Sequence, residues 1–436
     1  MKSVHYLSIC SEHPSICAAV AITFAAIWAL VKRMETRLVL LTAGFLMAVI
    51  ALDPMAAFKQ FDKSMTNGGL IISICSAMGF AAVVSITRCD LHLVALLTKP
   101  LKKMGVLLLP LSMIITGIVA VAIPSTAGCC AAVGPTLIPL LRRSGFSPAM
   151  AAAAIVGSIT PAVFNPGSAH NVFIAKLADT DVMSFIGKFS TYSLASAISV
   201  IVVMTVLCFV YRDYGDKHRV DAAAPAATEK KLPELPAKAN PVYAVAPMIP
   251  VAILVCASIW APQMKLSVAT AMLIGTIYAL AVTRTNPAEA VKRFFDGMGR
   301  GYANILGIII AAGVFAAGLR AAGVIDLLIG TMTQASEIAK IGAAAGPFLM
   351  GLVTGSGDAA TFAFNEAVTP HAAKFGLAAD FLGYLAMLSG HFGRLSSPLA
   401  GGLILVAGIA GVSPIDIVKR TAPAMIITLI GIYFCV

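Results

Sequence analysis

The sequence predicts an all-α polytopic membrane protein made of two inverted repeats. Hydrophobic residues make up 59% of the 436 residues and charged residues only 12%, whereas a soluble domain carries about 25% charged residues. Some ten apolar stretches follow one another, and the same polar punctuation occurs in both halves. The net charge of +11 is typical of Lys and Arg in cytoplasmic loops. No basic run is interleaved with aromatic residues, so we expect a lipid bilayer and no nucleic acid as partner.

The apolar stretches define the expected spans, since about 20 apolar residues cross the hydrocarbon of a bilayer. Two of the stretches, 148–176 and 380–411, are long and interrupted by Gly, Pro and polar residues, and we expect them to be broken spans. The ten stretches are 15–31, 38–53, 69–87, 148–176, 190–211, 243–260, 266–283, 303–319, 380–411 and 421–436.

A polar stretch, 212–240, divides the chain into a first repeat at 1–211 and a second at 241–436, and its Ala, Pro, Lys and Glu content predicts a linker. Corresponding residues keep their order in the two halves, as expected of an internal repeat. Ser125, Pro139, Gly145 and Ser158 match Ser356, Pro370, Gly376 and Ser389 at an offset of 231, and Phe61-Asp62 matches Phe295-Asp296 at 234.

Two further segments, 104–140 and 343–373, each contain two apolar arms around a short polar break, and we predict that they are re-entrant hairpins. Each half then has five spans, and the odd number inverts the second half. This arrangement places 21 of the 31 Lys and Arg residues in the cytoplasm and nine outside, in agreement with the positive-inside rule. We therefore expect a multi-pass membrane protein with a cytoplasmic linker and both termini external.

Four breaks lie at membrane depth, at the two hairpin tips (124–126 and 355–358) and in the two interrupted spans (165–171 and 389–398). Backbone there stays unpaired unless protein or a water-filled cavity covers it, so paired breaks in inverted halves predict a transport site. Each polar residue could instead only cap a helix or bond to the freed backbone. The predicted substrate-binding residues are Ser125, Thr126, Asn165, Ser168, Ser356, His391, Arg394, Ser396 and Ser397.

Arg394 is the most informative residue, because an arginine at the centre of a membrane helix costs at least ~2.5–3.5 kcal/mol. Its planar fork suits a substrate carboxylate, although a permanent pair with Asp358 or Glu366 is the alternative. Those two acids could also carry a proton or help to bind Na⁺. The coupling candidates are Asp358, Asn365, Glu366, His170 and Asn171, and the presence of a metal site is left open.

Three motifs resemble the anaerobic C4-dicarboxylate carrier family of the DcuC type: 354–371 (TGSGDAATFAFNEAVTPH), 165–171 (NPGSAHN) and 393–398 (GRLSSP). The resemblance covers nearly the whole chain and implies carriage of succinate, fumarate or malate across a bacterial inner membrane by an elevator-like movement, with scaffold homodimers. In the wider superfamily a Ser-Asn-Thr motif at the hairpin tips holds Na⁺ and the substrate carboxylate. Ser125-Thr126 and Ser356 lie at the matching tips, but the central Asn is missing from both.

The leading hypothesis is a secondary active transporter for C4-dicarboxylates, working by exchange or with H⁺ or Na⁺ as coupling ion. No P-loop occurs, so we expect neither ATP nor another cofactor. A carrier for another small carboxylate and an anion channel are the alternatives. An intramembrane enzyme would need a dyad such as Ser356 with His371 or His391, and without HExxH or GxSxG motifs we predict that the chain is not an enzyme.

Overall fold

A computed structural model of the chain describes residues 14–32, 34–98, 105–123, 125–215, 218, 235–236, 238–264, 266–325, 327 and 336–435. These residues are largely helical and contain no β-strand, only an isolated antiparallel bridge between Phe146 and Tyr214. The all-α class is therefore confirmed. Most of the predicted linker lies outside the described residues, as does Pro124 at the first hairpin tip.

Nineteen helices organise the described residues, several of them extended by short 3₁₀ or π turns. They are α1 Pro14–Val31, α2 Thr36–Ile50, α3 Pro54–Met65, α4 Gly68–Ile86, α5 Cys89–Thr98, α6 Leu108–Ala122, α7 Thr126–Arg143, α8 Pro148–Gly157, α9 Ala169–Leu177, α10 Val182–Val210, α11 Pro241–Trp260, α12 Val268–Thr283, α13 Pro287–Gly301, α14 Gly307–Ala321, α15 Ser336–Thr354, α16 Gly357–Ala367, α17 Ala379–Leu395, α18 Gly401–Ala410 and α19 Pro414–Cys435.

The helices of spanning length do not all coincide with the predicted spans, because two of them, Gly105–Ala122 and Ser336–Thr354, are the first arms of the predicted hairpins. Among the described residues eight helices are long and apolar enough to cross a membrane, or nine if the bent pair Pro148–Phe164 and Ala169–Leu177 forms one span. The predicted spans 38–53, 266–283 and 380–411 contain only helices of fewer than 18 residues, too short to count as candidate spans. For example, the 15 residues of α2 extend only ~23 Å, less than the ~30 Å of hydrocarbon.

Helix starts follow local sequence signals, which is why the breaks could be predicted. Ser125 accepts a hydrogen bond from the Gly128 amide at the start of α7, and Ser147 accepts one from Met150 ahead of Pro148. Such caps satisfy amides that have no partner within the helix. Both predicted hairpin tips coincide with helix breaks, one between α6 and α7 and one between α15 and α16.

The predicted break at 389–398 is wrong in its first part. Helix α17 runs without interruption to Leu395, and the chain leaves the helical path only from Ser396 to Ala400. The glycines of this stretch allow close packing and do not break the helix. A Cβ on Gly390 would collide with Thr361 of α16, and one on Gly393 with the Phe348 backbone of α15.

Two reciprocal contacts relate the halves. The ring of Phe294 on α13 lies 2.9 Å from the position that a Cβ on Gly79 of α4 would take. The Gln60 amide nitrogen on α3 lies 3.2 Å from the corresponding position at Gly313 of α14. Phe294 follows Gln60 by 234 residues, and Gly313 follows Gly79 by the same number. The shared offset supports an internal repeat, while the inverted orientation of the halves stays a prediction.

The centre of the protein is formed by α8, α14 and α17, whose residues are mostly buried. Helix α17 packs against both arms of the second hairpin and against α9. This packing brings the second hairpin, the break in the first half and Arg394 to one place.

Candidate functional site

A cavity of about 100 Å³ lies where the breaks of the two halves meet. Six of the predicted residues line it together with apolar side chains of α4, α16 and α17. The six are Thr126 at the start of α7, Ser168 and His170 at the start of α9, Asp358 at the start of α16, and His391 and Arg394 on α17. Drug-sized ligand pockets measure roughly 300–1,000 Å³, so this cavity is suited to a small molecule.

Asp358 connects the two broken spans. Its Oδ1 atom lies 3.0 Å from Arg394 NH1 and 3.0 Å from His170 Nε2. The first contact is an ion pair within the second half, and the second crosses from the second half to the first. One carboxylate oxygen thus serves a guanidinium and an imidazole, and of the two acids considered as partners of Arg394 the structure selects Asp358.

His391 is a further partner of Arg394, at 3.1 Å from guanidinium NH2 to imidazole Nδ1. A guanidinium has only donors, so Nδ1 accepts this bond and the imidazole proton lies on Nε2. That Nε2 and Arg394 Nε are buried without a hydrogen-bond partner among the described residues. Two donors beside the cavity are therefore unsatisfied in this arrangement.

The serines at the hairpin tips do not share this site. Ser125 is exposed and its hydroxyl caps α7. Ser356 lines a different, largely apolar cavity of about 470 Å³ between α1, α2, α14 and the second hairpin. Ser356 and His391 line different cavities. The enzymatic dyad considered as an alternative for these two residues therefore has no common cavity.

Two asparagines hold the first break together. The Asn165 side chain donates to Val121 O at 2.7 Å and accepts from the Gly167 amide at 2.7 Å. Asn171 donates to Val163 O and Asn165 O. These bonds satisfy backbone groups that the broken helix leaves without partners, and neither residue lines the 100 Å³ cavity.

The remaining predicted residues also lie away from this cavity. Ser396 and Ser397 are fully buried, with hydroxyls bonded to Phe392 O and the Leu399 amide respectively. Asn365 accepts from the Thr369 hydroxyl. Glu366 accepts from Gln60, a partner on α3.

Phe362 is a site residue that the sequence analysis missed. Its ring stacks on His170 with centroids 4.3 Å apart and an angle of 19° between the planes, which fixes the imidazole beside Asp358. Its position four residues after Asp358 places both on one face of α16, so helical spacing could have indicated it. Ile74, Met78, Ile305 and Met387 are among the other apolar residues of the wall, and no local pattern distinguishes them from core residues.

The described residues contain no group of three or more His, Cys, Asp or Glu side chains that could hold a metal ion. Carboxylate, guanidinium and imidazole groups instead form a compact charged cluster. Such a cluster can recognise an anion through Arg394, and Na⁺ binding at the hairpin tips stays a prediction.

The fold is similar to that of two solved transporters. One is Neisseria gonorrhoeae MtrF, described as representing a class of antimetabolite efflux pumps, with a TM-score of 0.60, 15% identity, and coverage of 87% of this chain and 82% of that one. The other is the Alcanivorax borkumensis YdaH transporter, described as having an unusual topology, with a TM-score of 0.60, 13% identity, and coverage of 87% and 86%.

Sequence comparison gives the family. An Escherichia coli K12 relative named anaerobic C4-dicarboxylate transporter DcuC is 28% identical over 380 residues, covering 84% of this chain and 80% of the relative. A Haemophilus influenzae relative described as an uncharacterized transporter is 43% identical over 275 residues, covering 62% of this chain and 98% of the relative. The family described as C4-dicarboxylate anaerobic carrier matches residues 29–436. The chain therefore belongs to the C4-dicarboxylate anaerobic carrier family and is a multi-pass membrane transporter.

Proposed function

We propose that the protein is a secondary active carrier of C4-dicarboxylates such as succinate, fumarate or malate in the bacterial inner membrane. The observation that carries this proposal is Arg394 beside a small cavity, paired through a single contact with a carboxylate of its own chain. An arginine fork recognises carboxylates, and the Escherichia coli relative is named an anaerobic C4-dicarboxylate transporter.

Asp358 acts in this proposal as an internal substitute for a substrate carboxylate. In the substrate-free carrier it neutralises Arg394, which avoids an unpaired charge at membrane depth. An arriving carboxylate takes its place on Arg394, and Asp358 keeps His170 as a partner. The displaced Asp358 is then free to bind a proton or a cation, which would couple transport to H⁺ or Na⁺.

Movement of the second hairpin and the broken spans would expose the cavity alternately to the two sides, as the family resemblance implies for an elevator-like carrier. Asp358 and Arg394 lie on α16 and α17, whose close packing at Gly390 allows them to move together. We retain the homodimer, the cytoplasmic linker and the external termini as predictions, and we expect no enzymatic activity.

The test is uptake into proteoliposomes that contain the purified protein. The substrates are labelled mono-, di- and tricarboxylates, and pH and Na⁺ gradients are imposed separately. We expect saturable counterflow of C4-dicarboxylates and little transport of butanoate, which lacks the second carboxylate. Flux that never saturates and shows no counterflow would indicate a channel and contradict the proposal.

A further inference from the structure

A polar junction near the C-terminal end of α16 is not used by the proposed substrate site. It consists of Gln60 and Ser64 on α3, Arg320 on α14 and Glu366 on α16, and we call it the Gln60 junction. Gln60 Nε2 donates to Glu366 Oε1 at 3.2 Å and to Ser64 Oγ at 3.0 Å. Arg320 NH2 donates to Gln60 Oε1 at 3.3 Å.

Gln60 therefore joins three separate helices through one amide. All four residues of the junction are half-buried, and α14 packs against both α3 and α16. Glu366 follows Asp358 by eight residues on α16, a distance of ~12 Å along a helix axis. A rigid helix transmits position over this distance, so a hold on Glu366 also fixes where Asp358 lies.

The corresponding contact in the other half is apolar. Phe294 takes the place of Gln60 at the offset of 234, and its ring packs on Gly79. At the offset of 231 Glu366 corresponds to Pro135 of α7, which cannot form this hydrogen bond. Polar contacts of this kind can therefore hold the second hairpin. The residues that correspond to Gln60 and Glu366 at the first hairpin, Phe294 and Pro135, cannot form them.

We propose that Gln60 is a positioning residue of the transport cycle, holding α16 and thereby Asp358 against α3 and α14 through Glu366. The Gln60 junction must open when the second hairpin leaves this position. Phe294 replaces Gln60 at the related site and cannot form these hydrogen bonds. The junction therefore stabilises one end state of the transport cycle and not the other. The inference rests on the proposed carrier function for its role in transport, but the hold itself is independent of the substrate.

The experiment measures the distance between spin labels at positions 55 and 374, on exposed residues of α3 and of the segment after α16, in a cysteine-free background. The variants are Gln60→Met, Glu366→Ala and the double variant. Glu366→Gln keeps an acceptor for Gln60 Nε2. Asp62→Asn changes an exposed acid of α3, the helix of Gln60, and is the control. The samples are purified protein in lipid nanodiscs without substrate.

We expect a narrow distance distribution in the wild type, in Glu366→Gln and in the control. Gln60→Met and Glu366→Ala should each move at least a third of the molecules to a second distance, and the double variant should resemble either single variant, because all three break the same contact. Wild-type distributions in both single variants would overturn the proposal, and so would additive effects in the double variant.

A second measurement covers variants that fail to fold. Cysteines at positions 60 and 366, linked by a reducible bifunctional thiol reagent that spans the space of the two original side chains, should block dicarboxylate counterflow, and reduction should restore it. Undiminished counterflow by the cross-linked protein would contradict the proposal. If the wild type carries no dicarboxylate, the proposed function fails, whereas the distance measurement still decides whether the Gln60 junction holds the hairpin.

Discussion

Arg394 and Asp358 are joined by one contact, 3.0 Å from NH1 to Oδ1, which leaves part of the Arg394 guanidinium without a partner in the described part of the chain. Arg394 Nε has no hydrogen-bond partner among the described residues, and Asp358 Oδ1 is shared with His170. A pair of this kind is compatible with both roles considered for Arg394, a permanent ion pair and a contact to substrate. It stabilises the empty protein, and a substrate carboxylate can still replace Asp358 on Arg394.

The first prediction concerns the stability of this pair. Arg394→Ala leaves Asp358 without its guanidinium, and since the Asp358 side chain is 40% exposed, we expect a loss of about 1.5–3 kcal/mol, the range for a hydrogen bond to a charged group. Adding Asp358→Asn should restore most of it. Thermal unfolding in detergent measures both, and equal melting temperatures of single and double variants would contradict the pairing.

The second prediction concerns coupling. Asp358→Asn keeps a hydrogen-bonding side chain beside Arg394 and His170 but cannot gain or lose a proton. We expect uptake driven by a pH or Na⁺ gradient to be lost while counterflow continues at a reduced rate. Reconstituted vesicles with and without each gradient give the comparison. A variant with wild-type pH and Na⁺ dependence would exclude Asp358 as the coupling group.

The third prediction separates ligand contact from helix capping at the first hairpin tip. Thr126 lines the cavity, whereas the neighbouring Ser125 caps α7. Thr126→Val removes a hydroxyl at constant volume and should weaken succinate binding several-fold with little change in stability. Ser125→Ala is the matched control and should cost ~1 kcal/mol of stability at unchanged affinity. The opposite pattern of effects would show that the two roles are assigned wrongly.

The fourth prediction concerns Asn165 as a structural residue. Asn165→Ala removes two side-chain hydrogen bonds to backbone groups of the first break. We expect a loss of about 1–3 kcal/mol, since the Gly167 amide is left buried without its acceptor. Calorimetry of the purified variant gives the value. Wild-type stability together with weakened substrate binding would instead make Asn165 a ligand-contacting residue.

Much of the fold was predictable because Ser, Pro and Gly start and end helices through contacts with residues close to them in sequence. The Ser125 cap and the two hairpin tips follow from short sequence motifs, whereas Ser356, expected from the same pattern to be a cap, forms no side-chain cap hydrogen bond. The continuation of α17 through Gly390 and Gly393 was not predictable, because the role of those glycines depends on what packs against them, namely Thr361 and Phe348.

The site was predictable in part for the same reason. Arg394 and Asp358 are recognisable because a charge at membrane depth needs a partner. In contrast, Asn165 and Ser396 are polar residues at breaks that turn out to satisfy the local backbone. Whether a polar side chain turns toward a cavity or toward its own backbone depends on rotamers and neighbours, which sequence spacing does not specify.

The most direct test of the account is succinate binding to the purified protein by titration calorimetry. It compares the wild type with Arg394→Lys and with the double variant Arg394→Ala, Asp358→Asn, and butanoate is the control ligand. The account predicts that both variants fold and that each binds succinate at least tenfold more weakly, a change of about 1.4 kcal/mol, because the planar fork is lost. Wild-type succinate affinity in a stable protein that lacks Arg394 would contradict it.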